Sequence, residues 1–442
     1  MCLTQNHGRV GKERPVVRQP LVRLAGWSGC GLILLFVFLS ALPALAQEAL
    51  DNSVAGRANA ASRKQQMQNQ DYTFKYGDFR TLLSATAEAS WNDNVNLSKT
   101  NLLDDYILTP TLRITSSYPV TEKNVLFLDI SVGYSRYLNH PNLSTFNLNS
   151  ASGTGLSFDI GFEDITLNLH DWMRYMQDSA QNSTVANTAN YGTFQNTAGL
   201  SADWDLNQAS LSAGYDHQNV MSTSAEFDDT THSSELFFVR SGLRVHPQVT
   251  VGLESTATLT KYDKNVLNNN DAYTVGAYTD LTPGSAMKVT ARGGFSTYQF
   301  QQSSASVQTS SQNSWYAGLN VRHQPVEWMA YSLEAGHEVP LGTQSDLTED
   351  WYVRPNINWK FIRGIDFGTG FFYEHGKQGV GNIAGNLTEN YDWYGGNLAV
   401  THQLTSRLSV GLNYRLTLRS SDISNNEYTQ NLVGLQMTYY PK

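Results

Sequence analysis

The amino-acid sequence predicts an all-β fold, a transmembrane antiparallel up-and-down β-barrel of about eighteen strands. Three observations support this prediction: apolar and polar residues alternate from Phe79 onwards, connectors alternate between short and long, and aromatic residues concentrate at predicted strand ends. No segment after Phe79 keeps a convincing helical period. The chain is therefore expected to cross a membrane with strands.

The segment 408–418 shows the clearest alternation. Its even-numbered residues are Leu, Val, Leu, Tyr, Leu and Leu, whereas its odd-numbered residues are Ser, Gly, Asn, Arg and Thr. Because successive side chains of a strand point to opposite faces, this segment has one apolar face and one polar face. Segments 126–134 and 249–259 follow the same pattern. The polar faces carry Gly, Ser, Thr and Asn rather than many Lys and Glu, which favours a lumen over the surface of a soluble sandwich.

The connectors provide the strand count. Short turns, such as those at 161–164 and 404–407, alternate with long polar connectors. Outer-membrane barrels have short periplasmic turns and longer external loops. Nine long and eight short connectors join eighteen strands and place both ends of the barrel on the periplasmic side. The long connectors lie near 92–104, 138–147, 178–190, 221–230, 263–271, 301–311, 341–349, 377–388 and 420–427.

Aromatic residues are expected to form two belts. Membrane interfaces select amphipathic rings, so an aromatic set beside each kind of connector is typical of a barrel. A thinner periplasmic set includes Tyr118 and Trp328. The set beside the long connectors comprises Trp91, Tyr106, Tyr137, Tyr175, Tyr191, Tyr262, Tyr273, Tyr298, Trp315, Trp351, Tyr391, Trp393 and Tyr428.

Composition excludes several other classes of protein. Charged residues are 16% of the 442, aromatic residues are 11%, and mean hydropathy is −0.37, which a helical membrane protein could not show. The two cysteines, Cys2 and Cys30, precede the cleavage site predicted below, so the mature chain would lack a disulfide or a thiolate metal ligand. The net charge is −9, and it is −13 without residues 1–46, which argues against nucleic acid as a partner.

The N-terminus has the pattern of a secretory signal. A basic stretch at 9–23 precedes an apolar run at 31–42 and the cleavage pattern Ala44-Leu-Ala46. The alternative, a single anchoring helix, is disfavoured because the run is shorter than the ~20 residues that span a bilayer. We predict a signal peptide at 1–46, a polar periplasmic lead-in at 47–78 and an outer-membrane β-barrel at 79–442.

The first predicted strand resembles that of a known family. The segment Trp91-Asn-Asp-Asn-Val95, within 87–97, is similar to the opening strand of the beta-barrel porin type 2 family. The resemblance extends loosely from Phe79 to the C-terminal end. Many members of that family are associated with exopolysaccharide loci, so the resemblance implies glycan passage as a candidate role. It implies no catalytic residues.

Motifs for catalysis or for metal binding are not found in the sequence. The ten histidines form no metal-ligand spacing, and His170-Asp171 could orient a base but has no paired serine motif. We therefore predict no enzyme activity, no cofactor and no metal site. Acidic pairs such as Asp104-Asp105 and Asp228-Asp229, together with Asp346, could bind divalent cations that bridge lipopolysaccharide. Solvated loop charges are the simpler interpretation.

The function expected is that of a porin-like channel for hydrophilic solutes, with exopolysaccharide export as the finer hypothesis. The alternatives are a non-conducting structural or adhesion barrel with partner-binding loops, and a barrel enzyme. Expected partners are outer-membrane lipid, lipopolysaccharide, the barrel assembly machinery and polysaccharide, with no nucleic acid. An open lumen would favour the channel, and loops packed into the lumen would favour the structural barrel. The charges predicted to face the lumen are Arg136, Glu254, Arg292, Arg322, Glu334, Glu374 and Arg415.

Overall fold

The computed structural model describes residues 72–150, 155–304, 308–382 and 388–441. The predicted signal peptide and the lead-in as far as residue 71 lie outside the described residues. The strands are β1 (Phe74–Tyr76), β2 (Phe79–Asn92), β3 (Asp105–Pro119), β4 (Val125–Tyr137), β5 (Thr145–Ser150), β6 (Leu156–Phe162), β7 (Ile165–Gln177), β8 (Gly192–Leu206), β9 (Ala209–Ser222), β10 (His232–His246), β11 (Val249–Tyr262), β12 (Asn270–Leu281), β13 (Met287–Phe300), β14 (Gln312–Val326), β15 (Met329–Glu338), β16 (Thr348–Ile362), β17 (Ile365–Gln378), β18 (Glu389–Thr405), β19 (Leu408–Ser421) and β20 (Tyr428–Tyr439).

These strands close into one antiparallel barrel. Except for β5 and β6, each strand pairs with its neighbour along the chain, and β2 pairs with β20 from Ala85↔Tyr439 to Asn92↔Leu432. The short strands β5 and β6 both pair with β4 and β7, so together they occupy one position in the wall. The described strands thus occupy eighteen wall positions, which confirms the predicted eighteen-stranded barrel.

The closing seam is shorter than its neighbours. Eight residue pairs join β2 to β20, whereas thirteen join β2 to β3. The remaining edge of β2 pairs with β1, where Phe74 lies opposite Thr81 and Tyr76 lies opposite Phe79. The segment just before the barrel therefore folds back to continue the seam.

The two faces of the wall differ in burial. On β10 and β11 the apolar residues Val239 and Leu253 are 50% and 64% exposed, whereas Arg240 and Glu254 beside them are 5% and 3% exposed. The same alternation runs through the other long strands. The exposed apolar face points outward and the shielded polar face points to the lumen, as in an outer-membrane barrel. Among the described residues, no helix has the length and apolar character needed to cross a membrane.

The predicted external aromatic belt is correct only in part. Tyr106, Tyr273, Trp315 and Trp351 are exposed on the outer wall. Trp91, Tyr137 and Tyr175 are partly buried. Six further rings are buried, because each stands at an inward position of its strand or in a loop: Tyr191, Tyr262, Tyr298, Tyr391, Trp393 and Tyr428. The clustering at strand ends predicted where along the strands these rings lie, but it did not predict whether they face the lumen or the outside of the barrel.

A charge on the outer wall should destabilise the barrel. Leu412 of β19 is 55% exposed on the apolar face. We expect Leu412→Arg to lower the free energy of unfolding by about 2–4 kcal/mol, the cost of a cation near the bilayer midplane. Ser409→Arg, on the inward face of the same strand, should cost clearly less. Urea unfolding in lipid vesicles would measure both, and equal costs would contradict the assignment of faces.

Candidate functional site: the lumen wall and its strap

The lumen is accessible at the periplasmic end and filled at the external end. Lys288, Arg322 and Glu334 lie on inward faces in the periplasmic half or near mid-height of their strands and are exposed. Near the long loops, inward residues such as Glu374 and Arg419 are buried. External loops therefore fill this end of the lumen.

Tyrosine rings lie flat against one part of the inner wall. Gly242 of β10 pairs with Gly252 of β11, which pairs in turn with Tyr278 of β12, so the three residues form one row across neighbouring strands. A methyl group at Gly242 would lie only 2.6 Å from the Tyr278 hydroxyl, so the ring occupies the space above the glycines. The absence of a Cβ at these positions allows a large ring to lie along the wall instead of across the lumen.

The same three-strand arrangement recurs around the wall. In the next row across the strands, Gly276 of β12 pairs with Gly294 of β13, which pairs with Tyr316 of β14. The Tyr316 hydroxyl donates to Glu254 Oε1 at 3.0 Å, three strands away. Gly318 of β14 pairs with Gly336 of β15, which pairs with Tyr352 of β16, and these three residues continue the row that contains Tyr278. Rings on β12, β14 and β16 thereby line the wall at intervals of two strands.

Arginine side chains cover two of these rings. The guanidinium carbon of Arg240 lies 3.4 Å from the centroid of Tyr278, and that of Arg354 lies 4.4 Å from the centroid of Tyr352. Arg354 Nη2 also lies 3.3 Å from Glu374 Oε2. The wall therefore presents guanidinium donors and carboxylate acceptors side by side, supported by stacking on the aromatic faces. Such a lining can hydrogen-bond both donors and acceptors of a polar solute.

The external end is crossed by the β7–β8 connector, residues 178–191, which we call the strap. It begins at Asp178, whose carboxylate caps the short 3-10 turn Ser179–Gln181. From β7 it reaches β18 and β19, and five wall positions separate β19 from β7. The strap therefore spans a chord of the barrel and is not part of the wall.

Two arginines of β19 hold the strap. Arg415 Nη1 donates to Asp178 Oδ2 at 3.0 Å, and Arg419 Nε donates to the Ser183 carbonyl at 2.8 Å. Arg419 is itself fixed by Glu389, with 2.7 Å between Nη1 and Oε1. Ala180 of the strap is buried in a cluster with Leu97, Tyr391, Trp393 and Tyr428.

The charge of Asp178 favours this docking. Burial acts to raise the pKa of the Asp178 carboxyl, but the adjacent Arg415 guanidinium and hydrogen bonds from Gln181 and Ala180 bring the pKa below its ordinary value of 3.8. Because docking lowers the pKa of this carboxyl, its negative charge stabilises the docked strap at a pH above the ordinary pKa. This stabilisation is lost as the pH falls through the lowered pKa. At neutral pH the charged carboxylate of Asp178 therefore keeps the strap bound to Arg415.

A second group of external loops is held together by Asp346. Its carboxylate accepts hydrogen bonds from Asn268 N at 2.8 Å, from Asn268 Nδ2 at 2.7 Å and from Thr309 Oγ1 at 2.5 Å. Asp105 likewise accepts the backbone N–H groups of Leu138 and Asn139. These acidic groups, considered above as cation sites, serve as acceptors within the loops.

The predicted lumen charges do not all lie on one face. Arg136 stands on the outward face of β4 with Tyr134, opposite the outward Leu108, so it is outside the lumen. A shift of one residue in the assumed alternation accounts for this difference, because it moves a side chain to the other face. The remaining six lie on inward faces: Glu254, Arg292, Arg322, Glu334, Glu374 and Arg415.

The site residues that the sequence did not indicate are the strap anchors Asp178 and Arg419 and the tyrosines of the inner wall. Glycine at inward strand positions was an available signal for the tyrosines. A glycine pair such as Gly276 and Gly294 on adjacent strands leaves room for a ring from the next strand. The partners of Arg419 could not be found this way, because its strap contact is more than two hundred residues distant.

The arrangement of His170 does not fit a serine hydrolase. Its Nε2 lies 2.8 Å from Asp216 Oδ1 and its Nδ1 lies 2.8 Å from Asn168 Oδ1. Ser157 lies opposite His170 in register, yet both ring nitrogens have other partners, and Asp171 interacts with Asn196 instead. A base needs a free nitrogen directed at the nucleophile. Within the described ranges, no group of three His, Cys, Asp or Glu residues could hold a metal ion.

Comparison with known proteins gives similarity of fold only. No family model matches the chain, and no curated protein matches it. OccK2 (OpdF) of Pseudomonas aeruginosa, solved with glucuronate, is 13% identical, with 82% of this chain and 98% of that chain covered and a TM-score of 0.46. OccAB3 of Acinetobacter baumannii is 9% identical (83% and 100% covered, TM-score 0.45), and P. aeruginosa OpdL is 12% identical (83% and 99%, 0.43). These values are too low to transfer cargo or mechanism.

The glycine rows can be tested with two adjacent residues. A methyl group at Gly294, on the inward face, would lie 2.8 Å from Tyr316 Cε1 and would overlap the Val275 carbonyl, whereas one at Gly293, on the outward face, has its nearest neighbour at 3.3 Å. We expect Gly294→Ala to lower the unfolding free energy by about 1–3 kcal/mol through overpacking. Gly293→Ala should change it by no more than about 0.5 kcal/mol. Similar losses for both variants in urea titrations would contradict the described packing.

Proposed function

We propose that this protein is a porin-like channel of the outer membrane that passes hydrophilic solutes, with glycans as candidate cargo. The observation that carries the proposal is the polar inward wall, which is accessible from the periplasmic end, where Lys288, Arg322 and Glu334 are exposed. Further towards the external end the wall carries paired guanidinium and carboxylate groups such as Arg354 and Glu374. Opposite charges side by side give weak overall charge selectivity and many hydrogen-bonding groups, which suits polyhydroxylated solutes. The resemblance at Trp91–Val95 agrees with glycan passage and with exopolysaccharide export as the finer hypothesis.

The strap would control the size of the passage. It crosses the lumen on the two arginine contacts and on further bonds, such as that from the Asn187 backbone N–H to the Leu97 carbonyl at 2.9 Å, so solutes would have to pass beside it or displace it. Because the strap lies between β7 and β8 and outside the paired strands, it could move without opening the wall. The barrel would then act as a passive channel whose limiting section is an external loop.

A second function is favoured by one observation. The external loops enclose small apolar clusters, including Val339 and Leu347 in one and Val185 and Phe227 in another. Loops packed this firmly would suit a non-conducting structural or adhesion barrel whose loops bind partners at the cell surface. Conductance distinguishes the two functions.

The direct test is single-channel recording in planar bilayers, with protein purified from outer membranes after expression of the full chain. We expect discrete conductance steps that neutral oligosaccharides reduce in a size-dependent manner, because the limiting section admits small solutes only. Heat-modifiable mobility in gels would establish that the sample is folded. Folded protein without conductance would reject the channel and favour the structural barrel.

Acid should release the strap. Protonation of Asp178 removes its attraction to Arg415, so conductance should rise as the pH falls from the ordinary carboxyl pKa of 3.8 through the lowered pKa of this group. Asp178→Asn should show this larger conductance at pH 7 and little further change with acid. Asp422→Asn is the matched control, because Asp422 follows β19 outside the strap and accepts hydrogen bonds from Asn390 of β18. A pH response that survives in Asp178→Asn would show that another group controls the opening.

A further inference from the structure

We infer that Lys288 and Arg322 form an oxyanion-binding site in the accessible periplasmic half of the lumen, which takes a carboxylate or phosphate group carried by a hydrophilic solute. This inference rests on the proposed channel function and adds a substrate class to it. The two residues stand directly opposite each other on the adjacent strands β13 and β14. Both lie on the inward face and both are exposed.

Two cations directly opposite each other repel unless a negative charge lies between or beside them. Residues directly opposite in an antiparallel pair have Cβ atoms about 4.5–5.5 Å apart, and like charges there repel. Within the part of the chain that the structure describes, neither side chain forms an ion pair. Other cations of the inner wall do: Arg113 with Asp129 at 2.6 Å, Arg354 with Glu374 at 3.3 Å and Arg419 with Glu389 at 2.7 Å.

The inward acids nearest to this pair, Asp280 and Glu334, stand one inward position further along their strands and not opposite either cation. Asp280 lies opposite Thr290, whose hydroxyl donates to it at 2.6 Å, and it lies 3.7 Å from Arg240 Nη2. Glu334 lies opposite Arg354 on one side and Asn320 on the other. The neighbour of Arg322 across β15 is Ser332, a neutral residue. Neither Lys288 nor Arg322 therefore has an acidic residue as its register partner.

The chemistry of the two side chains suits one oxyanion. A guanidinium matches the two oxygens of a carboxylate or phosphate in a planar fork, and an ammonium adds a mobile point charge. Arg292 is the next inward cation, four residues further along β13 towards the external end. An acidic solute entering from the periplasm would meet Lys288 and Arg322 first and Arg292 next, on its way to the strap.

The test compares block of the channel by charged and neutral solutes of equal length. A trimer of galacturonic acid and maltotriose are added to the periplasmic side, and glucose 6-phosphate is compared with glucose to separate phosphate from carboxylate. At low salt, half-block by an acidic solute should need a concentration about tenfold lower than block by its neutral counterpart. The preference should shrink in 1 M KCl because salt screens exposed charges.

Two double variants with equal net charge identify the site. Lys288→Gln/Arg322→Gln should abolish the preference, whereas Arg136→Gln/Lys377→Gln, at outward positions of β4 and β17, should keep it. A structural role would appear instead as a lower unfolding midpoint of the lumen variant. The inference would be overturned if acidic solutes did not block the wild-type channel more strongly than neutral ones. It would also be overturned if the lumen variant kept that difference.

Failure of the channel itself can be recognised separately. If the folded protein does not conduct, calorimetric titration of the barrel in detergent with the galacturonic acid trimer still tests the site. Binding that is lost in the Lys288→Gln/Arg322→Gln variant would support the site and reject only the channel. Absence of binding in the wild type would reject the site.

Discussion

The structure depends on one constraint: within a bilayer, every backbone N–H and C=O group must find its partner inside the protein. A sheet meets that constraint only when its first and last strands pair, which here means the antiparallel contact between β2 and β20. Once the wall is closed, each strand must direct alternate residues to lipid and to the lumen. The rows of glycine and tyrosine, the paired charges and the strap anchors all follow from that fixed alternation.

The sequence predicted the parts of the structure that are periodic. Segment 408–418 displays its two faces without ambiguity, and the alternation of connector lengths was sufficient to count the strands. Prediction was weaker where a single residue had to be assigned to a face. Arg136 and the buried Tyr391 show the reason: near strand ends and loops, polar and aromatic residues occur on both sides, so local composition does not specify direction. Mature-chain boundaries at 46 and 78 stay predictions.

Contacts between distant parts of the chain lay beyond the sequence pattern. Asp178 and Arg415 are 237 positions apart, and nothing in either neighbourhood indicates the other. The same holds for Asp346, which joins loops that begin at separate strands. Such contacts are tertiary consequences of barrel diameter and loop length. The external end, where loops from distant strands meet, is therefore the part of this protein that most needed a three-dimensional structure.

The short closing seam has a consequence for how the wall fluctuates. With eight register pairs where the neighbouring interface has thirteen, β2 and β20 share fewer backbone hydrogen bonds than β2 and β3, and three further pairs come from β1. Local opening is easiest where the fewest bonds must break together. The β2–β20 seam should therefore open more readily than the β2–β3 interface beside it, and the first described strand of the chain, β1, adds its three pairs at the periplasmic end of that seam.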